Sequence, residues 1–299
     1  MPIETPAPAR LPPWLKIRLP GGEVYNKVRE KARLGPLHTV CQEARCPNLS
    51  ECWSGGTATF MVLGQTCTRG CRFCSVATAR KPAAPDPEEP SKLAESLRAL
   101  NLKYAVITTV CRDDLPDQGA GHITECVKEI RRTCPDVLIE FLIQDFRGDI
   151  EPLRRVVAAS PDVLAHNLET VQRLTHPVRD AKAGYRQSLR VLKEIKRLDP
   201  KRTTKTSLML GLGETEEEIF TALQDLRDVG TDIVTLGQYL RPTNERRHLP
   251  VAEYVRPEIF EAYGKRAREM GFLYVASGPF VRSSYRAGEL FLEGYLKSK

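Results

Sequence analysis

The chain has 299 residues, of which 41% are hydrophobic and 28% are charged, proportions ordinary for a soluble globular protein. The length suits one large α/β domain or two smaller ones. No apolar run approaches the roughly 18 residues that span a membrane, and the Pro-rich start has no apolar signal core. We therefore expect an intracellular protein, cytoplasmic and in a reducing compartment. The net charge of +7 indicates either an acidic partner or a modestly basic surface.

The N-terminal part, residues 1–57, contains many Pro and Gly residues and no clear strand. We interpret it as an extension without a core of its own. From residue 58 onward, short apolar runs rich in β-formers recur, as expected of strands buried on both faces of a parallel sheet. The six runs are 59–65, 103–110, 136–143, 162–168, 205–212 and 232–240.

Helical patterns separate these runs and follow the last of them, at 91–101, 121–134, 149–160, 183–198, 215–230 and 257–271. Ser91 is the predicted N-cap of the first helix. Thr215, with Glu217 and Glu218 behind it, predicts a capping box that opens a helix ending at Gly230.

Six strands separated by helices predict parallel βα units. Right-handed crossovers would let six units form an open, partial barrel of the TIM type. A doubly wound sheet is the competing topology, and the periodicity does not decide between them. We place the domain boundaries at 1–57, 58–271 and 272–299, the last being a short C-terminal extension.

The chain has nine cysteines, and an odd number in a reducing compartment favours metal binding or catalysis over disulfides. Cys67, Cys71 and Cys74 follow the first predicted strand directly. Loops at the carboxyl ends of the strands form the active face of a parallel barrel. A zinc loop would need a distant fourth ligand. An iron–sulfur cluster on three thiolates would keep one iron open to a small molecule.

The spacing Cys-x3-Cys-x2-Cys, with Phe73 before the last cysteine, resembles the signature of radical S-adenosylmethionine (SAM) enzymes. That resemblance implies a 4Fe–4S cluster on Cys67, Cys71 and Cys74. Its open iron binds SAM, and cluster reduction yields a 5′-deoxyadenosyl radical that abstracts hydrogen from an unactivated carbon. The protein positions the radical and keeps water away. Phe73 would pack beside the cluster or the adenine, or else serve as a core aromatic.

A second cysteine set, Cys41-x4-Cys46-x5-Cys52, precedes the first set, and RSSYRAGE occupies residues 282–289. On their own, these cysteines also fit a zinc knuckle or a structural cluster. Together, the two spacings and the RSSY motif resemble the lipoyl synthase family. Further stretches fit that family, at 110–120, 166–171, 211–215 and 236–243, so the resemblance covers about residues 11–295.

The resemblance implies that Cys41, Cys46, Cys52 and Ser284 bind an auxiliary 4Fe–4S cluster, with Ser283 as the alternative serine. In the family this cluster is consumed, and its ligands are catalytic in that sense. It donates the two sulfur atoms inserted at carbons six and eight of an octanoyl chain on a carrier-protein lysine. A serine oxygen is a harder and weaker partner for iron than thiolate, which suits a cluster that must be dismantled. Taken alone, Ser283 and Ser284 also fit a helix N-cap.

The implied partners are octanoylated lipoyl carrier proteins, namely the E2 domains of 2-oxoacid dehydrogenases and the H protein of glycine cleavage. A ferredoxin or flavodoxin would supply electrons, and an iron–sulfur protein would rebuild the consumed cluster. We expect no nucleic-acid or membrane partner. The alternative is a methylthiotransferase-like enzyme acting on tRNA, but residues 271–299 are too few for an RNA-binding appendage. A non-catalytic electron-transfer or zinc protein would not need an open-iron triad.

SAM contacts are expected from polar or glycine residues at strand ends: Asn167, Glu169, Gly211, Gly213 and Arg241. For GLGET (211–215) the alternative is a plain helix start with turn glycines, and Arg241 fits a surface arginine equally well. Of the adjacent carboxylates Asp113 and Asp114, one would hold an ammonium or position an arginine such as Arg112, and Asp113 is the candidate for positioning substrate or SAM. Two adjacent carboxylates usually form a solvated turn. Arg282 would help to position substrate or SAM, or lie solvated.

Other residues have less specific patterns. His166 fits a packed strand histidine better than a ligand, because no cysteine or aspartate is spaced with it. Cys126 and Cys134 lie eight residues apart on one predicted helix and fit the core. Cys111 lies at the predicted active face, where we expect a small buried residue.

Overall fold

The structure, a computed structural model, describes residues 11–15, 59–100, 102 and 104–284. Its central sheet has seven parallel strands that follow one another in chain order. The strands are β1 (Thr59–Val62), β4 (Tyr104–Thr109), β5 (Leu138–Leu142), β6 (Val163–Ala165), β7 (Thr203–Leu210), β8 (Ile233–Gln238) and β9 (Tyr274–Gly278). A small parallel pair, β2 (Thr66–Cys67) and β3 (Ala77–Thr78), lies outside this sheet. The six strands predicted from the apolar runs are all present.

The strand order identifies the topology. Strands follow one another without reversal, whereas a doubly wound sheet reverses its order at a switch point. Within the described ranges the end strands β1 and β9 do not pair with each other, so the sheet stays open. The predicted partial barrel is therefore the observed architecture.

A seventh strand, β9, pairs with β8 from Ile233 opposite Tyr274 to Gly237 opposite Gly278. The sequence analysis did not predict it, because YVASG is short and contains two of the smallest side chains. It lies beyond residue 271, so the sheet continues into the segment that we interpreted as a C-terminal extension.

Seven helices are present in the described residues: α1 (Glu89–Leu100), α2 (Ala120–Thr133), α3 (Ile150–Ala158), α4 (Thr175–Val178), α5 (Tyr185–Leu198), α6 (Glu216–Asp228) and α7 (Pro257–Glu269). The capping box predicted at Thr215 is present, with Glu218 as its second partner. Ser91 is not an N-cap, because α1 begins at Glu89. The Ser91 hydroxyl instead donates to the carbonyl of Glu88, 2.8 Å away. No helix in the described part of the chain is long and apolar enough to cross a membrane.

The two faces of the sheet are buried differently. One face packs against the helices in two large apolar clusters, which include Phe141 and Leu208. The other face forms a small cluster made only of strand residues, such as Val106 and Val163. On that inner face Lys205 Nζ lies 2.7 Å from Glu140 Oε1, and the Tyr104 hydroxyl donates to Glu140 Oε2 at 2.6 Å. The barrel interior is thus partly polar.

Strained backbone occurs where strands end. Leu63 follows β1 with φ 70°, and Glu169 follows β6 with the same φ. Non-glycine residues adopt this left-handed region rarely, and such residues cluster at functional sites. Because parallel strands all end at one edge of the sheet, this edge is the place to look for a site.

Candidate cluster and cofactor site

The cysteine loop, residues 67–74, lies at the carboxyl edge of the barrel, between β2 and β3. Backbone N–H groups from distant loops point at its sulfur atoms. The N–H of Cys111 lies 3.3 Å from Cys67 Sγ, and that of Asp180 lies 3.4 Å from Cys71 Sγ. Such donors stabilise thiolate and cluster sulfur, and they help to set the reduction potential of a cluster.

Arg69 anchors the loop from within. The residue is only 4% exposed, and its guanidinium forms bidentate ion pairs with two carboxylates. Nη2 lies 2.8 Å from Asp113 Oδ1 and 2.7 Å from Asp145 Oδ1, while Nε and Nη1 bind the remaining two oxygens. Burial alone would raise the pKa of Asp145, but the hydrogen bonds and charge of Arg69 lower it to about 2. We call these three side chains the Arg69 clamp.

The structure gives the adjacent carboxylates Asp113 and Asp114 different partners. Asp113 does hold an ammonium, that of Lys182 at 3.3 Å, but the arginine it positions is Arg69. Arg112 pairs with Asp114, through two bonds of 2.9 and 2.8 Å, which is the arginine contact expected of one of the two carboxylates. Asp113 is also not in a solvated turn, since its side chain is 3% exposed. Through its bonds to Arg69, Asp113 helps to hold the cysteine loop in place.

Two further loops hold the cysteine loop from outside. Asp180, which follows α4, accepts from the N–H of Gly70 at 2.8 Å. His248, from the loop after β8, donates from Nε2 to the carbonyl of Cys74 at 3.0 Å. The loop is therefore bound by residues that follow β4, β5, β6 and β8, four strands of the sheet.

The three thiols differ in their electrostatics. Burial raises the pKa of Cys71 to about 12 and that of Cys74 to about 11. A hydrogen bond from the Cys111 thiol lowers the pKa of Cys67 to about 6. Buried thiols that must ionise need a positive partner, and iron bound to the thiolates supplies one.

Glu169 and Asn167 follow β6 and belong to the same site. The Asn167 side-chain amide donates to Glu169 Oε1 at 3.1 Å. Burial raises the pKa of Glu169, and its charge in turn raises those of Cys71 and Cys74, so it lies within electrostatic range of these thiols. Among the described atoms, Asn167 Oδ1 is buried with no hydrogen-bond partner. A buried acceptor without a donor fits a site that receives a ligand N–H.

Gly211 and Gly213, both predicted to contact SAM, differ in the space beside them. Gly211 has φ 94°, but a Cβ there would meet the carbonyl of Glu253 and the side chain of Gln238. Its N–H donates to Glu214, and its carbonyl accepts from the N–H of Ala252 at 2.9 Å. The space beside Gly211 is therefore filled by the chain itself and not left for adenosine. At Gly213, with φ 102°, a Cβ would meet only the Ala252 side chain among the described residues, at 3.9 Å.

Phe73 and Arg241 have mostly structural contacts. Phe73 is half-buried and packs against the apolar cluster behind β7 and β8. Arg241 donates from Nη2 to the carbonyl of Glu245 at 2.9 Å, and within the described chain its buried Nε has no hydrogen-bond partner. Its guanidinium thus stabilises the loop after β8, and within the described chain the Nε–H remains without an acceptor.

The C-terminal motif reaches the same edge of the barrel. After β9 the chain turns, with the N–H of Val281 donating to the carbonyl of Gly278 at 3.0 Å. The Val281 carbonyl lies directly against Gly237 of β8, where a Cβ would collide with it. Arg282 donates to that carbonyl at 2.7 Å, and Ser283 and Ser284 follow, both half-buried. Cys41, Cys46 and Cys52 lie outside the described residues.

Of the residues with less specific patterns, His166, Cys126 and Cys134 are placed as predicted, whereas Cys111 is not fully buried. His166 is packed, with Nδ1 donating to the carbonyl of Ile143 and Nε2 accepting from Ser188, both at 2.9 Å. Cys126 and Cys134 are buried in the helix-facing core. Cys111 is partly exposed but lies against Cys67, a contact that the sequence analysis did not identify.

The sequence analysis also missed Arg69, Asp145 and Asp180 as parts of the site. A signal for Asp145 was available, because it follows a predicted strand directly, as Asn167 does. Arg69 lies inside the cysteine motif, but its partner Asp145 is 76 residues away in the chain. No local pattern indicates such a pairing.

The donor set fits an iron–sulfur cluster. All three thiols are free. In the part of the chain that the structure describes, no three His, Cys, Asp or Glu side chains are grouped tightly enough to hold a single metal ion. A 4Fe–4S cluster presents a different iron to each thiolate and does not need that grouping.

Two family models match the chain. One, described as the radical SAM superfamily, matches residues 61–226, which contain the cysteine loop and most of the barrel. The other, described as the N-terminal domain of lipoyl synthase of the radical SAM family, matches residues 3–46. The superfamily implies a 4Fe–4S cluster and SAM.

Solved structures confirm the fold. A methylornithine synthase superposes with a TM-score of 0.54 at 13% identity, covering 85% of this chain and 76% of that one. Coproporphyrinogen III oxidase from Escherichia coli, described as a radical SAM enzyme, gives a TM-score of 0.50 at 15% identity, covering 71% and 52%. At such low identities the likeness concerns the barrel alone.

Relatives with curated names are much more similar. A lipoyl synthase of Anaeromyxobacter sp. (strain Fw109-5) is 56% identical over 291 residues, covering 97% of this chain and 98% of its own length. Mitochondrial lipoyl synthases of Candida tropicalis and Culex quinquefasciatus are 55% and 52% identical over 295 residues, covering 97% of this chain and 78% and 77% of theirs. With this identity over nearly the whole chain, and with the anchored cysteine loop at the barrel edge, the chain belongs to the lipoyl synthase family of radical SAM enzymes.

Proposed function

We propose that this enzyme inserts two sulfur atoms, at carbons six and eight, into an octanoyl chain carried on a lysine of a lipoyl carrier protein. The observation that carries the proposal is the anchored cysteine loop with Glu169 and Asn167 beside it, in a chain of this family. The methylthiotransferase alternative has no comparable support, since the named relatives over nearly the full length are lipoyl synthases.

In this proposal Cys67, Cys71 and Cys74 hold a 4Fe–4S cluster. When bound, the cluster and SAM would together supply the chemistry that removes a hydrogen atom from an unactivated carbon. The chain's part is positioning: the Arg69 clamp fixes the loop, and the Asn167 Oδ1 acceptor fits the SAM ammonium. The Glu169 carboxylate fits ribose hydroxyls, which donate hydrogen bonds to it. Gly213 remains a candidate for close approach to SAM, whereas the space beside Gly211 is occupied by Glu253 and Gln238.

The sulfur source in this proposal is a second 4Fe–4S cluster on Cys41, Cys46, Cys52 and Ser284. The position of Ser284 supports it, since this residue follows β9 at the edge where the cysteine loop lies. Ser283 is the alternative ligand. Arg282, which binds the neighbouring Val281 carbonyl, would orient the serine segment.

The proposed substrates are octanoylated E2 domains or glycine cleavage H protein, reduced ferredoxin or flavodoxin being the electron source. A repair protein would rebuild the second cluster, because its sulfur is used in each turnover. The cytoplasm is our proposed location. Several relatives are named as mitochondrial.

Anaerobic mass spectrometry tests the proposal. Protein reconstituted with iron and sulfide is mixed with SAM, dithionite and an octanoyl-lysine peptide. We expect the peptide to gain two sulfurs as a dithiol, two C–H bonds being replaced by C–SH with no net change in hydrogen, and 5′-deoxyadenosine to form alongside. Cys46→Ala should keep 5′-deoxyadenosine and lose the sulfur, whereas Cys67→Ala should lose both. If intact enzyme with both clusters forms 5′-deoxyadenosine but adds no sulfur, the proposed substrate is wrong.

A further inference from the structure

Positive charge is concentrated around one helix. Residues 182–198, which contain all of α5, have six Lys and Arg residues and a single Glu, a net of +5 in a chain whose total is +7. Helix α5 joins β6 to β7 on the outside of the barrel. The rest of the chain is therefore close to neutral, and the modest overall charge hides a strongly basic element.

The charges lie on one face of α5. Arg186, Arg190, Lys193 and Arg197 follow one another at intervals of four, three and four residues, which places them on one side of a helix. All four are exposed, and the side that packs on the barrel contains Val191 among its buried residues. We call this row the basic ridge. At 1.5 Å per residue it is about 16 Å long.

Most of the ridge has no counter-charge. In the described part of the chain, Arg197 pairs with Glu194 at 2.6 Å, but Arg186, Arg190 and Lys193 form no ion pair. Arg155 of α3, which packs beside α5, is exposed and likewise forms none in the residues described. Arginine and lysine that a fold does not neutralise repel one another, so a partner that supplies acidic groups is favoured.

The ridge begins beside the cysteine loop. Asp180, five residues before α5, binds the N–H of Gly70, and Lys182 binds Asp113 of the Arg69 clamp. Helices of a βα barrel run antiparallel to its strands, so the first turn of α5 lies at the carboxyl edge. A protein seated on the ridge would therefore be adjacent to the edge where the candidate site opens.

We propose that the basic ridge is the docking surface for the acidic face of the carrier domain whose lysine bears the substrate chain. This inference rests on the proposed function, because it names the surface that receives that substrate. Complementary charge at such a surface acts mainly by speeding encounter and fixing orientation. The carrier lysine would then be delivered to the edge while the carrier body stays outside.

The test compares two substrates and two charge-reversed variants. Arg190→Glu/Lys193→Glu reverses the middle of the ridge, without touching Lys182 or the cysteine loop. The control, Lys265→Glu/Arg268→Glu, makes the same change of charge on exposed positions of α7, which packs on β9 at the end of the sheet. Substrates are an octanoylated acidic carrier domain and an octanoyl-lysyl tripeptide, and kcat and KM are measured for each.

We expect the ridge variant to raise KM for the carrier roughly tenfold or more, with kcat unchanged and the tripeptide unaffected. Added salt should raise the carrier KM of the unaltered enzyme more than that of the ridge variant. Unchanged carrier KM in the ridge variant, or an equal rise in the α7 control, would overturn the proposal. The proposal would also be overturned if the ridge variant kept normal kinetics with the carrier but lost binding to an oligonucleotide. The ridge would then be a nucleic-acid surface. If neither substrate gains sulfur in the unaltered enzyme, the proposed function has failed instead.

Discussion

Arg69→Met should destabilise the protein and loosen the cysteine loop. The substitution removes a buried guanidinium and leaves Asp113 and Asp145, 3% and 0% exposed, without their shared partner. Removing one partner of a buried ion pair typically costs 3–5 kcal/mol, so we expect about that loss in the free energy of unfolding. Against a typical total of about 5–15 kcal/mol, the variant should fold but lie near its limit.

Two measurements separate stability from cluster binding. Denaturant unfolding of the protein without cluster gives the first, and iron and sulfide content after anaerobic reconstitution gives the second. Lys205→Met is the matched control, because it breaks another buried pair, with Glu140 in the barrel interior. We expect a similar loss of stability in that control but normal occupancy of the cysteine loop, since the bonds of Lys205 run to Glu140.

A triple variant tests the electrostatic reasoning itself. In Arg69→Met/Asp113→Asn/Asp145→Asn no buried charge is left unpaired, so part of the lost stability should return. If Arg69→Met is as stable as the unaltered protein, the clamp contributes nothing and the reasoning is wrong. The same holds if the triple variant is no more stable than Arg69→Met, because unpaired charge would then not be the cause.

Three further outcomes follow from single contacts. Cys111→Ala removes a thiol that hydrogen-bonds Cys67 and should make the midpoint potential of the SAM-binding cluster more negative, as electrochemical titration can record. Gly237→Ala would collide with the carbonyl of Val281 and should displace the serine segment, lowering iron content by one cluster while the SAM-binding cluster stays. Burial lowers the pKa of His166 to about 4, so stability should fall by about 3 kcal/mol as pH drops from about 6.5 to 4.

Each of these outcomes has a contrary result. An unchanged potential in Cys111→Ala would mean that the thiol does not reach the bound cluster. Full iron content in Gly237→Ala would separate the serine segment from cluster binding. For His166 the sign follows from protonation: below pH 6.5 the unfolded chain binds a proton that the folded protein does not. His166→Gln should remove this dependence, and an identical pH profile in that variant would contradict the assignment.

The sequence was sufficient for the barrel because its information is local. Each of the six predicted strands is a short apolar run, and such a run indicates, without reference to distant residues, a strand that is buried on both faces. The cysteine loop could be placed for the same reason, since it directly follows the first run. β9 was missed because it is short and three of its five residues are Ala, Ser or Gly, so its membership of the sheet depends on pairing with β8.

The contacts that hold the site depend on distant pairings instead. Asp113 and Asp145 meet at Arg69 because β4 and β5, which they follow, pair in one register and end together. Gly211 satisfied the local rule for a ligand-facing glycine, yet the returning segment at Glu253 fills its space. A rule based on neighbours in sequence identifies which residues can approach a ligand. It does not identify which of them the fold has already covered.

The region from Asp180 to α5 connects the two parts of the mechanism that we propose. Within five residues it supplies an N–H to Cys71, a carboxylate to Gly70 and, through Lys182, a contact to the Arg69 clamp. The basic ridge begins immediately after it, on a rigid helix packed against the barrel. A carrier held on that ridge is thus held relative to the cysteine loop by one short, well-bonded stretch of chain. Since a displacement of about 1 Å at the reacting atoms can cost a hundredfold in rate, such a direct link favours correct placement of the substrate chain.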